Sequence, residues 1–234
     1  MIKMTLSDEL RLYLEEIGCD VTGFADISGI SKEARQNFDY GILIALAYSR
    51  EAMEENKDGR SEKYYEEYNS INKRLPELAE KTARFLMQKG YLALPKAATM
   101  VVQDGDYRTS LPHKTVATLA GVGWIGKCAT LVTRQFGSAL RLVVVLTDAP
   151  LECGEPVTES ECAPGCTVCA DICPGKAPLG GSWRVGVDRD LFFNAHACRP
   201  AARAHAEAAL GVEETLCGLC ISSCPFTMQG LRYK

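Results

Sequence analysis

Apolar positions along the chain change period several times, and each change marks an element. Leu10, Tyr13, Leu14 and Ile17 recur at helical spacing behind Ser7, with Asp8 and Glu9 in the first turn and Gly18 after the last. That pattern predicts a helix capped by Ser7. Val21 to Ala25 predicts a strand, Ser31 opens a short helix, and the apolar run Gly41 to Tyr48 predicts a strand buried on both faces. Residues 51–63 are charged and read as a solvated loop or exposed helix start. Tyr64, Tyr68, Ile71, Leu75, Leu78, Thr82 and Phe85 then alternate spacings of four and three, one face of a long helix. The tyrosines read as core contacts rather than as a cofactor box. Pro76 is expected to kink or split this helix, and Lys89-Gly90 to close it.

Tyr91 to Leu94 predicts another strand. Val101-Val102 leads into the turn Gln103-Asp104-Gly105-Asp106-Tyr107, and Lys114 to Ala120 predicts a helix. Ala129 to Thr133 and Ala139 to Thr147 predict strands joined around Gly137. After Asp148-Ala149-Pro150 the periodicity gives way to Cys, Pro and Gly, with one alanine-rich helix expected over Ala201 to Ala209. The composition shift sets a domain boundary at 150, dividing the chain into 1–150 and 151–234.

Composition narrows the classes. The 234 residues are 47% hydrophobic and 24% charged, as in an ordinary globular protein. No apolar run reaches membrane-span length, and the N-terminal residues lack a signal-peptide core. Eleven cysteines without a secretory signal point to thiolates in a reducing cytoplasm. The formal charge of -4 argues against a general nucleic-acid surface.

The cysteines form two ladders. The first is Cys162-x3-Cys166-x2-Cys169-x3-Cys173-Pro174; the second is Cys217-x2-Cys220-x3-Cys224-Pro225, preceded by the isolated Cys198. The bacterial ferredoxin run C-x2-C-x2-C-x3-C-P sends its last cysteine to the other of two clusters. A residue before Pro is pushed extended and points away from the turn formed by its neighbours. By that rule Cys162, Cys166, Cys169 and Cys224 hold one 4Fe–4S cluster, and Cys173, Cys198, Cys217 and Cys220 hold the other. Four-cysteine zinc sites also use C-x2-C pairs, but do not require a third cysteine followed by Pro. The extra residue between Cys162 and Cys166 is expected to be absorbed by a turn at Pro164-Gly165.

Gly121-x-Gly123-x-x-Gly126 matches the dinucleotide fingerprint, which follows a strand and opens a helix. Here a helical stretch precedes and a strand follows, so these glycines are expected to make a close-packed helix-to-strand turn.

The block Leu119-Ala120-Gly121-Val122-Gly123-Trp124-Ile125-Gly126-Lys127, then Gly137-Ser138, Leu146-Thr147-Asp148 and the two ladders around Cys198, resembles epoxyqueuosine reductases. The double-cluster part also resembles corrinoid-dependent reductive dehalogenases. The motifs cover roughly residues 110–226 of the chain. The resemblance implies an α+β protein: a nitroreductase-like α/β domain that embraces cobalamin, then a ferredoxin-like domain with two 4Fe–4S clusters. It further implies an oxidoreductase that takes single electrons from a donor such as a ferredoxin or flavodoxin. A small molecule or a modified base would be the substrate. His113, Gly123, Trp124, Ile125, Gly126, Lys127 and Cys128 become the candidate cofactor-binding residues.

Departures from the family pattern matter. Its catalytic aspartate lies upstream of the GWIGK block, where this chain has Arg108-Thr109-Ser110. Asp104 and Asp106 are the nearest acids and the candidates for a general acid, or else plain turn residues. Cys128 follows Gly126-Lys127 where the longer reductases commonly carry Asn; it is a ninth thiolate by the pocket or a small buried residue. No D-x-H-x-x-G segment exists for a corrinoid-ligating histidine. His196, two residues from Cys198, is a candidate donor to a cluster sulfur. Cys153 is a substitute for Cys162 that spacing disfavours. The sequence given stops ten residues after Cys224, without the helical repeats that help such reductases hold tRNA, so a tRNA substrate is not expected. A two-cluster electron carrier, or a reductase of a partner corrinoid protein, is the alternative to an enzyme.

Overall fold

In a computed structural model, which describes residues 4–96 and 105–230, the chain is a mixed α/β protein. Its residues group into two compact units that interleave along the sequence. One comprises Met1–Ala47, Ile71–Val122 and Arg141–Val157; the other comprises Tyr48–Ser70, Gly123–Leu140 and Thr158–Lys234. The sequential division at residue 150 does not coincide with these units. Residues 48–70 and 123–140 pack with the cysteine ladders. Residues 151–157 pack with the first unit: the Gly154 amide donates to the Phe24 carbonyl at 3.0 Å, and the Val157 amide to that of Thr118 at 2.9 Å.

The first unit is built on a sheet of order β1-β2-β6-β3, with β1 Val21–Asp26, β2 Tyr40–Ala47, β3 Ala93–Lys96 and β6 Leu140–Thr147. β1 and β2 are antiparallel in the register Val21↔Ala45, and β3 and β6 in the register Ala93↔Thr147. Ile42 to Ala45 are fully buried, as their unbroken apolar run requires. Pro95 is tolerated because β3 is an edge strand. β3 starts two residues later than expected. The Leu92 amide bonds the Asp148 carboxylate at 2.8 Å, and its carbonyl accepts from Thr147 Oγ1 at 2.7 Å, so side chains replace the ladder there. Asp148 is thereby occupied as a structural acceptor.

α1 (Leu6–Glu16) is capped by Thr5, not Ser7. The Thr5 hydroxyl accepts from the Asp8 amide and the Asp8 carboxylate reciprocates, a capping box that satisfies two otherwise orphaned donors. Ser7 is buried and accepts from the Glu152 amide at 2.8 Å. α2 (Lys32–Arg35) starts after Ser31 as expected. The charged stretch folds into α3 (Arg50–Lys57), and α4 runs from Glu62 to Gln88 without a break at Pro76. α5 (His113–Leu119) packs on β1 and β2, with Val116 standing over Gly41.

In the second unit, β4 (Trp124–Ile125) and β5 (Leu131–Val132) pair antiparallel. The two strands expected around Gly137 therefore do not pair with one another; β6 joins the four-stranded sheet instead. The cysteine segments lie on and beside α6 (Val168–Ile172), α7 (Ala195–Leu210), α8 (Leu219–Ser222) and α9 (Pro225–Gly230). α7 starts six residues earlier than expected, because Asn194 caps it through the Ala197 amide and Pro200 falls within its early turns. Among the described residues no helix is long and apolar enough to cross a membrane.

Candidate metal centre

Each ladder places its middle cysteine on a short helix and its last directly before a proline. Cys169 rides on α6, whose C-cap Cys173 is extended (φ -69°, ψ 117°) ahead of Pro174, the conformation that proline imposes on its predecessor. Cys220 rides on α8, and Cys224 follows it ahead of Pro225, which opens α9. Between Cys162 and Cys166 the chain turns at Pro164-Gly165, and the Cys166 amide closes the turn on the Ala163 carbonyl at 3.0 Å. The extra residue is accommodated there.

Cys162, Cys166, Cys169, Cys220 and Cys224 line a cavity of about 130 Å³ together with Gly126, Lys127, Cys128, Val132 and Phe226. Electrostatic neighbourhoods divide the thiols further. Cys169 feels Cys162 and Cys166, and Cys224 feels Cys162. Cys198 feels Cys173 and Cys217, Cys217 feels Cys173, and Cys220 feels Cys217 and Cys198. Cys224 of the second ladder thus shares a cavity with Cys162, Cys166 and Cys169 of the first, and Cys173 of the first lies within electrostatic reach of Cys198 and Cys217. Among the described residues no three His, Cys, Asp or Glu side chains are grouped to hold a single metal ion.

Burial pushes the Cys198 and Cys224 thiols up to about 11. Donating a hydrogen bond to the Cys128 sulfur, and then burial, pushes the Cys169 and Cys220 thiols up. Cys128 is held well below its ordinary value by the same two bonds. It is 5% exposed and lies between one cysteine of each neighbourhood, with Thr130 Oγ1 3.0 Å from its sulfur.

The glycine block serves packing. Gly123 lies so close to the Val132 carbonyl that a side chain has no room, and Trp124 is buried edge-on against Phe226 at 4.9 Å. Ile125 joins Ala129 and Phe192 in a small apolar cluster. The helix before and strand after these glycines are the reverse of a dinucleotide site. Lys127 is 4% exposed and donates to the carbonyls of Ala163, Pro164 and Cys166.

The remaining candidates lie elsewhere. His113 belongs to the first unit, with Nδ1 3.2 Å from the Leu142 carbonyl; burial lowers its pKa. Asp106 is exposed in a turn, and Asp104 lies outside the described residues. Cys153, also in the first unit, donates to the Leu151 carbonyl. His196 is exposed on α7.

A support behind the second ladder carries no motif. The Asn56 amide donates to Ser222 Oγ at 3.1 Å, and the Ser61 hydroxyl to Asn56 Oδ1 at 2.9 Å, with His205 Nε2 3.3 Å from that hydroxyl. Asn56 and Ser222 are fully buried. Gly218 has φ +73°, and a side chain there would meet the Tyr64 ring at 2.6 Å. Polar residues in a charged run gave no sequence signal for this role.

No family model matches the chain. It is 30% identical over 213 residues to an epoxyqueuosine reductase of Bacillus cereus, covering 75% of this chain and 53% of that protein. It is 32% identical over 123 residues to the one of Pseudomonas aeruginosa, covering 53% and 30%. The chain spans about half the length of the first of these relatives. Among solved structures, the catabolic reductive dehalogenase NpRdhA matches 97% of this chain and 33% of its own, with TM-score 0.65 and 17% identity. An epoxyqueuosine reductase in complex with an epoxyqueuosine-modified tRNA-Tyr stem loop matches 95% and 65%, with TM-score 0.61 and 20% identity. The shared backbone, the motif block and the two ladders agree: this chain belongs to an epoxyqueuosine reductase-like family.

Proposed function

We propose that this chain is an iron–sulfur oxidoreductase of the cytoplasm that carries two 4Fe–4S clusters. Cys162, Cys166, Cys169 and Cys224 hold one; Cys173, Cys198, Cys217 and Cys220 hold the other. The observation that supports the reading most is that Cys224 of the second ladder lines one cavity with Cys162, Cys166 and Cys169 of the first, while Cys173 of the first lies within electrostatic reach of Cys198 and Cys217. The donor set fits: the eight ladder thiols are as many as the ligands two cubane clusters require. When bound, such clusters supply one-electron transfer at low potential. The chain's own part is to enclose them and to set their electrostatic surroundings through Cys128, Lys127 and the backbone.

The domain reading that goes with it is a nitroreductase-like α/β part and a ferredoxin-like part. The electron donor is a ferredoxin or flavodoxin, and the terminal acceptor a bound redox group or a small or modified-base substrate. Cobalamin enters from the relatives: one matching structure is described as suggesting a mechanism for B12-dependent dehalogenation. The glycine block is committed to internal packing, so a corrinoid would have to be held by other residues. That favours keeping a second reading, in which the clusters reduce a partner's corrinoid. The tRNA stem loop bound by a matching reductase runs counter to the expectation that tRNA is not a substrate.

Anaerobic purification with iron and sulfide counts, followed by cobalamin titration monitored by absorbance, tests both. About eight irons per chain are expected. Tight, spectrally altered cobalamin selects the enzyme, and eight irons without a cobalamin response select the partner reductase. Zinc, or iron near zero after anaerobic reconstitution, overturns the two-cluster reading.

A further inference from the structure

Among the described residues Lys127 is a buried cation without a carboxylate partner. Its ammonium has three protons to donate, and three carbonyls accept them: Ala163 at 3.1 Å, Pro164 at 2.8 Å and Cys166 at 3.0 Å. These acceptors satisfy the hydrogen bonds but leave the charge. A buried charge is costly unless something of opposite sign compensates it. Among the described residues no carboxylate does so: Glu161, the acid closest in sequence to the loop, pairs with Arg134 at 2.5 Å. Lys127 also lines the cavity that holds Cys162, Cys166, Cys169 and Cys224, with Cys128 and Cys220 at its wall. A thiolate-ligated cluster in this cavity would supply dense negative charge, at about -2 when oxidised and one unit more negative when reduced.

We propose that Lys127 is the built-in counter-charge of the cluster held by Cys162, Cys166, Cys169 and Cys224, and that it raises that cluster's reduction potential. The proposal rests on the two-cluster reading above. Its physics is Coulombic: a fixed positive charge in a poorly solvated site stabilises the more negative, reduced state more than the oxidised one. Among the described residues no buried lysine is seen beside the second group. Lys176, three residues after Cys173, is exposed, donates to the Asp171 carbonyl, and is screened by water. Asn56 and Ser222, behind α8, are neutral. Lys127 is therefore a positioning residue with two separable jobs, clamping the 163–166 turn and supplying charge.

Two substitutions separate those jobs. Lys127→Gln keeps an amide that can donate to the carbonyls but removes the charge; Lys127→Arg keeps the charge. Each holoprotein is titrated anaerobically with dithionite and followed by EPR, and the relevant wave is identified as the one missing in Cys162→Ala. In Lys127→Gln that wave moves negative by the equivalent of at least about tenfold in the reduction equilibrium, about 59 mV for one electron, while Lys127→Arg stays near wild type. Loss of that cluster in Lys127→Gln but not in Lys127→Arg equally supports a counter-charge. The proposal is overturned if the Gln variant keeps both clusters with the wave unmoved, if Gln and Arg shift alike, or if both lose the cluster. Absence of 4Fe–4S signals in the wild-type protein defeats the two-cluster reading itself and is distinguishable from all of these.

Discussion

The two ladders share the spacing C-x2-C-x3-C-P yet are supported in opposite ways. The first, around Cys166 and Cys169, lies on an exposed Pro-Gly turn held from behind by one buried ammonium. The second, around Cys217 and Cys220, rests on neutral groups: Asn56, Ser61, Ser222 and the Tyr64 ring behind Gly218. An identical ligand motif therefore sits in two electrostatic environments. The lesson is that one cysteine spacing can be set in different surroundings, because the groups packed behind each ladder come from distant segments, here 48–70 and 123–140.

The largest expected effect breaks the symmetry between ladders. Cys224→Ala and Cys162→Ala should remove the same cluster, lowering iron from about eight to about four per chain. Cys173→Ala should instead remove the cluster that Cys217→Ala removes. Iron counts with EPR of the four variants check this, and a common loss in Cys173→Ala and Cys162→Ala would refute the exchange of pre-proline cysteines.

Support of the second ladder comes next. Gly218→Ala places a side chain at φ +73° against Tyr64, and should destabilise the holoprotein by about 2 kcal/mol or more. Asn56→Ala strips partners from two buried hydroxyls and should cost about 1–3 kcal/mol. Urea unfolding followed by circular dichroism reads both. An Asn56→Ala protein as stable as wild type would show that the neutral network does not bear on this ladder.

The smallest effect lies outside both ladders and serves as their control. Burial foremost lowers the His113 pKa, opposed by the bond to the Leu142 carbonyl. Its folded value is thus below its unfolded one of about 6.5. The associated stability is complete above about pH 6.5 and is lost as pH falls through the folded value. His113→Gln should flatten that acid-side decline in thermal melts while leaving the iron content unchanged.

Much of the secondary structure was legible, because burial on one face writes a period into the chain. The buried strand at 40–47 and the long helix through Ile71, Leu75 and Leu78 follow directly from that period. The misread boundaries share a cause. Thr5 rather than Ser7 caps α1 because Ser7 is claimed by the Glu152 amide, 145 residues away. Asn194 extends α7 past Pro200 because a good cap outweighs a proline early in a helix. The turn at Pro164-Gly165 was legible, since Pro and Gly restrict the backbone locally; the Lys127 bonds that hold it were not.

The sequence by itself determined the family and the two cysteine ladders, together with the extended geometry of Cys173 before Pro174, because these depend on local covalent preference and spacing. Only the tertiary structure decided that 48–70 and 123–140 pack with the ladders, that Cys128 lies between their thiols, and that the buried Lys127 donates to three carbonyls of the 163–166 turn. Those outcomes depend on contacts between segments far apart in the chain, where neither periodicity nor motif carries a signal.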